Sequence, residues 1–172
     1  MSDHHDHPRE APAESSPYAA RIRAIEELLV ERGVLTREEV RRQLDFMESR
    51  SPEDGARLVA RAWVDPDFKN LLLRDAKAAA LELGIDASGP VEFIAVENTD
   101  ETHNLLVCTL CSCYPRAILG RPPDWYKSRE YRARAVNEPR EVLREFGLEL
   151  GDGVRVAVHD STADARYLVL PQ

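Results

Sequence analysis

All three cysteines of this 172-residue chain lie within one six-residue segment, Cys108-Thr109-Leu110-Cys111-Ser112-Cys113. An odd number of cysteines cannot be fully paired in disulfides within one chain. Three sulfurs so close together on a short loop can converge on one metal ion, for which thiolates are strong ligands. The spacing therefore predicts a metal site in this segment, which we call the claw.

The backbone of the claw offers a second kind of donor. The amide nitrogens of Ser112 and Cys113 lie between the sulfurs of Cys111 and Cys113, so these amides, once deprotonated, would close small chelate rings around an ion. With Cys108, the claw offers three sulfurs and two nitrogens and leaves one coordination position open. Such donors suit a low-spin trivalent ion better than zinc, which prefers four tetrahedral side-chain ligands. An open position is what a catalytic metal needs.

Two simpler metal sites are less favoured alternatives. A structural zinc site would need a fourth ligand, for which His103 is the nearest candidate, and the spacing C-x-x-C-x-C is not usual for zinc. An iron–sulfur cluster normally takes four cysteines, and the chain has three.

Composition and charge argue against other classes of function. The formal net charge of -8 would repel nucleic acid, and the sequence has no basic patch. It also has no apolar run of the roughly 18–20 residues that span a bilayer and no signal-peptide pattern at its start. We therefore expect a cytoplasmic protein that binds neither nucleic acid nor a membrane.

The first half of the chain is predicted to be helical, after a leader. Residues 1–17 are polar and rich in Pro, Ser and His, which indicates a disordered leader. Residues 18–88 form the predicted helical region, with a first helix over Tyr18–Arg32. Three later helix starts are marked by a capping box or by proline at the first helical position: Thr36 with Glu39, Ser51-Pro52, and Asp65-Pro66, the last helix running to Gly84.

The second half, residues 89–172, mixes strands and helices. Val91–Val96 has the pattern of a strand, Leu105–Val107 is a short apolar run that leads into the claw, and residues 125–147 are helical with an interruption near Pro139. Alternating apolar residues over Val154–Val158 predict another strand, with Arg166–Leu170 as its partner and His159 pointing to solvent. We therefore expect an α+β protein in which a helical N-terminal region precedes a layered α/β domain that carries the claw.

The claw resembles the metal-claw motif of the nitrile hydratase alpha subunit. Segments on both sides of it are also similar to that family, strongly over the second half of the chain and loosely over the helical half. These segments are Val96–Thr99, Leu119–Ser128, Tyr131–Arg134, Glu138–Leu143 and Arg166–Pro171.

The resemblance implies one cobalt(III) per chain, or alternatively iron(III). Its ligands would be the sulfurs of Cys108, Cys111 and Cys113 and the backbone nitrogens of Ser112 and Cys113, and Thr109 is typical of the cobalt enzymes. The family also implies that Cys111 becomes a sulfinic acid and Cys113 a sulfenic acid, the first two stages of cysteine oxidation.

The implied reaction is hydration of a nitrile to the amide by a hydro-lyase. The nitrile would be polarised at the open position and attacked at carbon by the Cys113 sulfenate oxygen or by water, with Cys113, Ser112 and Arg116 as the expected catalytic residues. The family works with a beta-type subunit, whose arginines hold the oxidised sulfurs, and with an activator protein that loads cobalt.

Arg116 departs from the family pattern, because nitrile hydratases have tryptophan three residues after the last claw cysteine. A cation there would favour an anionic or polar substrate. Tyr114-Pro115-Arg116 is similar to the gamma subunit of thiocyanate hydrolase, so hydrolysis of thiocyanate to carbonyl sulfide and ammonia is an alternative function. A purely structural alternative is that Arg116 pairs with an acidic residue on the surface or at an interface. Gly89 and Pro90 stand where the family often has a glutamine.

A second alternative function is a non-catalytic metal-binding subunit. It predicts unoxidised cysteines and tetrahedral zinc.

Overall fold

The computed structural model describes residues 17–172, which form helices and two small parallel sheets. It confirms the α+β class. The predicted leader lies outside the described residues apart from Pro17. The elements in chain order are α1 Pro17–Glu31, α2 Arg37–Glu48, α3 Pro52–Val64, α4 Pro66–Arg74, α5 Ala76–Glu82, β1 Glu92–Glu97, β2 Thr102–Val107, α6 Arg116–Leu119, α7 Asp124–Lys127, α8 Arg129–Asn137, α9 Pro139–Glu145, β3 Arg155–Asp160 and β4 Ala165–Leu170.

The chain divides into two compact units, the first ending at Phe46 and the second covering Met47–Gln172. The described part of the first unit contains α1 and most of α2. The predicted capping box is confirmed there: Glu39 N donates to Thr36 Oγ1 at 3.1 Å, and Thr36 N donates to Glu39 Oε2 at 2.7 Å. The division predicted between residues 88 and 89 stays a prediction.

Side-chain caps start the helices α3, α4 and α5 in the second unit. Ser51 and Asp65 cap α3 and α4 ahead of a proline, as predicted. The single helix predicted from Pro66 to Gly84 is wrong, because Asp75 interrupts it at a φ of −148° and accepts a hydrogen bond from Ala78 N. A short carboxylate competes in this way for the amides of the next turn, so Asp75 ends one helix and caps the following one.

The four strands form two separate two-stranded parallel sheets. β1 pairs with β4 and β2 pairs with β3, in registers that place Ala95 opposite Leu168 and Val107 opposite Asp160. The predicted pairing of residues 154–158 with 166–170 is therefore wrong. Parallel strands need a long crossover connection, which α6–α9 supply between β2 and β3, whereas sequence alone suggested a pair of neighbours.

Two hydrophobic cores fill the second unit. The first core packs α3–α6 against β1 and β4, and its main residues are Leu58, Phe68, Leu72, Ile118, Leu168 and Leu170. The second core packs α7–α9 against β2 and β3, and its main residues are Leu105, Val107, Cys108, Tyr126, Tyr131, Val142 and Leu143. Within residues 17–172, no helix has the length and apolar character to cross a membrane.

The helix α6, which follows the claw, docks closely on α3. Gly55 of α3 permits this approach, since a Cβ on it would lie 2.2 Å from Leu119 Cδ2. Gly120 ends α6 with a φ of 66°, and a Cβ there would lie 2.6 Å from Arg50 O. Glycine is favoured at both places, and the C-terminal side of the claw is thereby tied to the first core.

Candidate metal centre

The claw lies in the loop between β2 and α6, at the carboxyl end of the parallel pair β2 and β3. Loops at this end of parallel strands commonly carry binding sites. Val107 and Cys108 are fully buried in the second core, whereas Leu110 is 89% exposed and Cys111 is also exposed. The loop therefore starts inside the protein and turns its middle to the surface, with Ser112 and Cys113 half-buried.

The three sulfurs converge as the sequence predicts. Cys108 Sγ lies 3.5 Å from Cys111 Sγ, which lies 3.1 Å from Cys113 Sγ, and all three atoms are within 4.8 Å of one another. With bonds of about 2.3 Å to an ion, neighbouring sulfurs would be about 3.3 Å apart at right angles and about 3.8 Å apart at the tetrahedral angle. The distance from Cys111 to Cys113 is closer to the right-angle value, whereas the distance from Cys108 to Cys111 lies between the two values.

The protonation of the sulfurs is linked. Hydrogen bonds from the thiols of Cys113 and Cys108, together with the amide of Ser112, lower the pKa of Cys111 to about 7. Burial and the neighbouring sulfurs raise the pKa of Cys113 to about 12, although Arg166 acts in the opposite direction. Of these two thiols, Cys111 therefore loses its proton more easily. A bound cation would favour the thiolate form of all three.

The structure offers no fourth side-chain ligand for zinc among residues 17–172. No histidine, carboxylate or further cysteine of these residues joins the three cysteines in a group close enough to share an ion. His103 instead accepts a hydrogen bond at Nδ1 from Asn98 Nδ2, 3.2 Å away, because the Asn98 oxygen is taken by Asn104. The donor set thus fits the five-donor arrangement of sulfurs and backbone nitrogens better than a structural zinc site.

Asp160, at the end of β3, holds the first turn of the claw and was not identified from the sequence. Its Oδ1 accepts a hydrogen bond from Thr109 N at 2.9 Å, and its Oδ2 accepts one from Thr109 Oγ1 at 2.5 Å. Both donors of Thr109 therefore point at one carboxylate. The available signal was an acid directly after an alternating strand, but its meaning depends on the pairing of β3 with β2.

Tyr126 holds the last residue of the claw from the second core. Its hydroxyl donates to Cys113 O at 2.8 Å, and its ring packs edge-on against Tyr114 with centroids 5.2 Å apart. Burial raises the pKa of Tyr126, so the hydroxyl keeps its proton. The fully buried Ser161 hydroxyl lies near Tyr126 and acts to lower that pKa, but it makes no hydrogen bond of ordinary geometry among the described residues. From the sequence, Tyr126 was only part of the family-like segment Leu119–Ser128, and its contact with the claw was not predicted.

Arg116 is exposed at the start of α6 and borders a cleft beside the claw. Arg166 borders the same cleft and interacts electrostatically with Cys113. Within residues 17–172 neither guanidinium forms an ion pair with a carboxylate of this chain. The alternative in which Arg116 pairs with an acid on the surface of this chain therefore finds no partner among these residues. The cleft has a volume of about 270 Å³, and its other lining residues are mostly apolar, including Pro90, Val91, Phe93, Pro115, Ala117 and Ile118.

His159 differs from its predicted solvent-facing position. Its Nε2 lies 2.8 Å from Asn104 Oδ1, and its ring packs on Tyr167 with centroids 5.1 Å apart. Asn104 is buried and donates to Glu97 O at 2.7 Å. His159 therefore belongs to a polar network between the two sheets, and not to the claw.

Comparison with known proteins points to one family. The family model described as "Nitrile hydratase, alpha chain" matches residues 16–172. The chain is 46% identical over 162 residues to the low-molecular weight cobalt-containing nitrile hydratase subunit alpha of Rhodococcus rhodochrous, covering 94% of this chain and 78% of that one. It is 40% identical over 159 residues to the thiocyanate hydrolase subunit gamma of Thiobacillus thioparus, covering 86% and 65%. A crystal structure of a thiocyanate hydrolase mutant superposes with a TM-score of 0.87 at 37% identity, covering 91% and 77%.

Proposed function

This chain belongs to the nitrile hydratase alpha-chain family, and on that premise we propose that it is the metal-carrying alpha-type subunit of a cobalt nitrile hydratase. Such an enzyme is a hydro-lyase that adds water to a nitrile and forms the amide. The observation that carries the proposal is the convergence of three sulfurs within 4.8 Å around a loop whose middle is open to the surface.

The ion of this site is proposed to be one cobalt(III), with iron(III) as the alternative. Its ligands would be the sulfurs of Cys108, Cys111 and Cys113 and the backbone nitrogens of Ser112 and Cys113. The cobalt-containing relative supports this choice, as does Thr109. When bound, the ion supplies Lewis acidity that polarises a nitrile.

The claw residues would supply the remaining chemistry. Cys111 is proposed to carry a sulfinic acid and Cys113 a sulfenic acid, since oxygenated sulfur donates less electron density to an ion. The Cys113 oxygen would attack the nitrile carbon or orient a water that does so, and Ser112 would hold the turn between the two oxidised sulfurs. The net change is addition of water across the carbon–nitrogen triple bond, with its protons ending on the amide nitrogen.

A partner subunit is proposed to complete the site. Cys111 is exposed, and the neighbouring Leu110 places an 89% exposed apolar side chain at the centre of the claw. An uncovered site would admit bulk water, whereas an enclosed site strengthens electrostatic interactions with the substrate. A beta-type subunit is the proposed cover, and an activator protein is proposed to load cobalt.

A second candidate function is hydrolysis of thiocyanate to carbonyl sulfide and ammonia. The specific observation is the pair Arg116 and Arg166, which border the cleft without an ion-pair partner among the described residues. Two uncompensated cations attract an anion more strongly than a neutral nitrile. The relation to the thiocyanate hydrolase subunit gamma is consistent with this candidate.

The two candidates are separated by product analysis of the assembled enzyme. The chain is co-expressed with its partner subunits and with cobalt, then supplied with a neutral nitrile, a nitrile that bears a carboxylate, and thiocyanate. Amide formation without carbonyl sulfide supports nitrile hydration, and carbonyl sulfide with ammonia supports the second candidate. Turnover of none of the three by a cobalt-loaded assembly would contradict both.

Arg116→Trp tests the role of Arg116 in the same assay. Loss of the cation is expected to shift preference from the anionic toward the neutral nitrile by about tenfold in kcat/KM, the scale of one lost charge contact. Arg121→Gln is a matched control, because Arg121 pairs with Glu48 and does not border the cleft. Equal selectivity in the two variants would make Arg116 a bystander.

A further inference from the structure

The two ends of the claw are held by side chains from different elements. At the first end, Asp160 of β3 accepts both polar hydrogens of Thr109. At the second end, the Tyr126 hydroxyl of α7 donates to the carbonyl of Cys113. We propose that Asp160 and Tyr126 are positioning residues that fix the two ends of the claw, so that its sulfurs stay converged on the ion.

Asp160 is well placed for this role because β3 pairs with the strand that leads into the claw. Val107 lies opposite Asp160 in the parallel register, and Ser161 N donates to Val107 O at 2.7 Å. The backbone that carries the Asp160 carboxylate is therefore hydrogen-bonded to Val107, the residue that precedes Cys108. A single exposed hydrogen bond contributes little to the order of a loop. A carboxylate that accepts two hydrogen bonds from Thr109 restricts both the backbone and the side chain of Thr109.

The arrangement also assigns a role to Thr109. Its hydroxyl points to Asp160 at 2.5 Å, so it fixes the path of the loop between Cys108 and Cys111. Thr109 then acts on the metal site through backbone geometry, with Asp160 as its partner. Serine would keep both hydrogen bonds, whereas valine would keep the shape and lose the hydroxyl bond.

Tyr126 fixes the other end from a rigid position. The side chain is 2% exposed and packs among the aromatic rings of the second core. Its bond to Cys113 O orients the peptide that follows the last sulfur. Phenylalanine would fill the same space but leave this carbonyl without its phenol donor.

The role of Asp160 is tested with Asp160→Asn, which replaces one acceptor oxygen by an NH2 group that cannot accept a hydrogen bond from Thr109. Asp164→Asn is the matched control, since Asp164 is an exposed aspartate in the turn that follows β3. Two quantities are measured: hydrogen exchange of the 108–114 peptide in the metal-free chain, and the rate of cobalt loss to a chelator from the assembled enzyme. Asp160→Asn is expected to speed exchange several-fold and cobalt loss about tenfold, the lower part of the range for partners of metal ligands.

Thr109 variants and Tyr126→Phe complete the test. Thr109→Ser should retain wild-type cobalt loss, and Thr109→Val should accelerate it. Combined with Asp160→Asn, Thr109→Val should add little, because the two residues form one contact. Tyr126→Phe should accelerate cobalt loss and shift the sulfur-to-cobalt absorption band.

Several results would overturn the proposal. Equal hydrogen exchange in Asp160→Asn and Asp164→Asn would show that the Asp160–Thr109 contact does not order the claw. Faster exchange in Asp160→Asn with unchanged cobalt loss would show that this contact does not affect the metal. An unshifted absorption band together with wild-type cobalt loss in Tyr126→Phe would show that Tyr126 does not position the second end of the claw. The inference rests on the proposed function only for the identity of the ion. A wild-type chain without cobalt would contradict that function, but hydrogen exchange would still show whether Asp160 orders the claw.

Discussion

The two cores of the second unit are built from different kinds of contact. The first core, between α3–α6 and the β1–β4 sheet, consists of aliphatic side chains and Phe68. The second core contains Cys108 and two tyrosines whose hydroxyls bond to backbone carbonyls, Tyr126 to Cys113 O and Tyr131 to Leu106 O. The first core stabilises the fold by apolar packing and reaches the claw only through α6, whereas the second core also contains side chains that hydrogen-bond to the backbone around the claw.

The strongest test of this contrast is Cys113→Ala. Loss of one sulfur, and of the oxygen proposed on it, should abolish both cobalt binding and turnover in the assembled enzyme. The metal-free chain should nevertheless unfold at nearly its wild-type temperature, because Cys113 is only half-buried at the edge of the second core. Cobalt content, turnover and thermal unfolding are measured together, and retained turnover would refute the proposed chemistry.

A pair of truncations compares the cores directly. Leu72→Ala in the first core and Leu143→Ala in the second each remove a buried leucine, with an expected cost of about 2–5 kcal/mol in the free energy of unfolding. Leu143→Ala is expected to hasten cobalt loss from the folded enzyme more than Leu72→Ala does, because its core carries Cys108 and Tyr126, whereas the first core reaches the claw only through α6. Similar cobalt loss in both variants would show that the two cores do not differ in this respect.

The polar network between the sheets should give a smaller, pH-dependent effect. Burial lowers the pKa of His103 and of His159 below their ordinary value of 6.5, and Arg155 lowers that of His159 further. The unfolded chain then binds more protons than the folded one in acid. Stability that is fully present above pH 6.5 should be lost as pH falls through the folded pKa values, and protonated His103 can no longer accept from Asn98.

The measurement is the thermal unfolding temperature of the full chain between pH 7.5 and pH 5. His103→Asn combined with His159→Gln keeps the polar hydrogen-bonding groups without titrating, so its profile should be flatter than that of the wild type. Identical slopes would assign the acid sensitivity to other groups.

The sequence predicted the parts of this molecule that depend on neighbouring residues. The cap at Ser51 and the convergence of the cysteines follow from local spacing, and both are found. The strand pairing was wrong because parallel partners are separated by four helices, which no local pattern reveals. The role of Asp160 was missed for the same reason, since Thr109 and Asp160 are 51 positions apart and meet only through that pairing.

Two residues fit their local sequence pattern but have contacts in the structure that the pattern does not predict. Asp75 has good helix-forming neighbours on both sides, yet its side chain caps the next helix and divides the segment. His159 alternates with apolar residues as an outward residue would, but Asn104 of the paired strand β2 and Tyr167 of the other sheet lie next to its side chain. Tertiary packing decided both positions.

The cobalt site with its two oxidised cysteines is best tested by metal analysis and peptide mass spectrometry on the chain, purified with its partners after growth with cobalt. We expect about one cobalt per chain, with two added oxygen atoms on Cys111 and one on Cys113. Zinc at the site, or no metal with three unmodified thiols, would contradict this expectation and indicate a non-catalytic subunit.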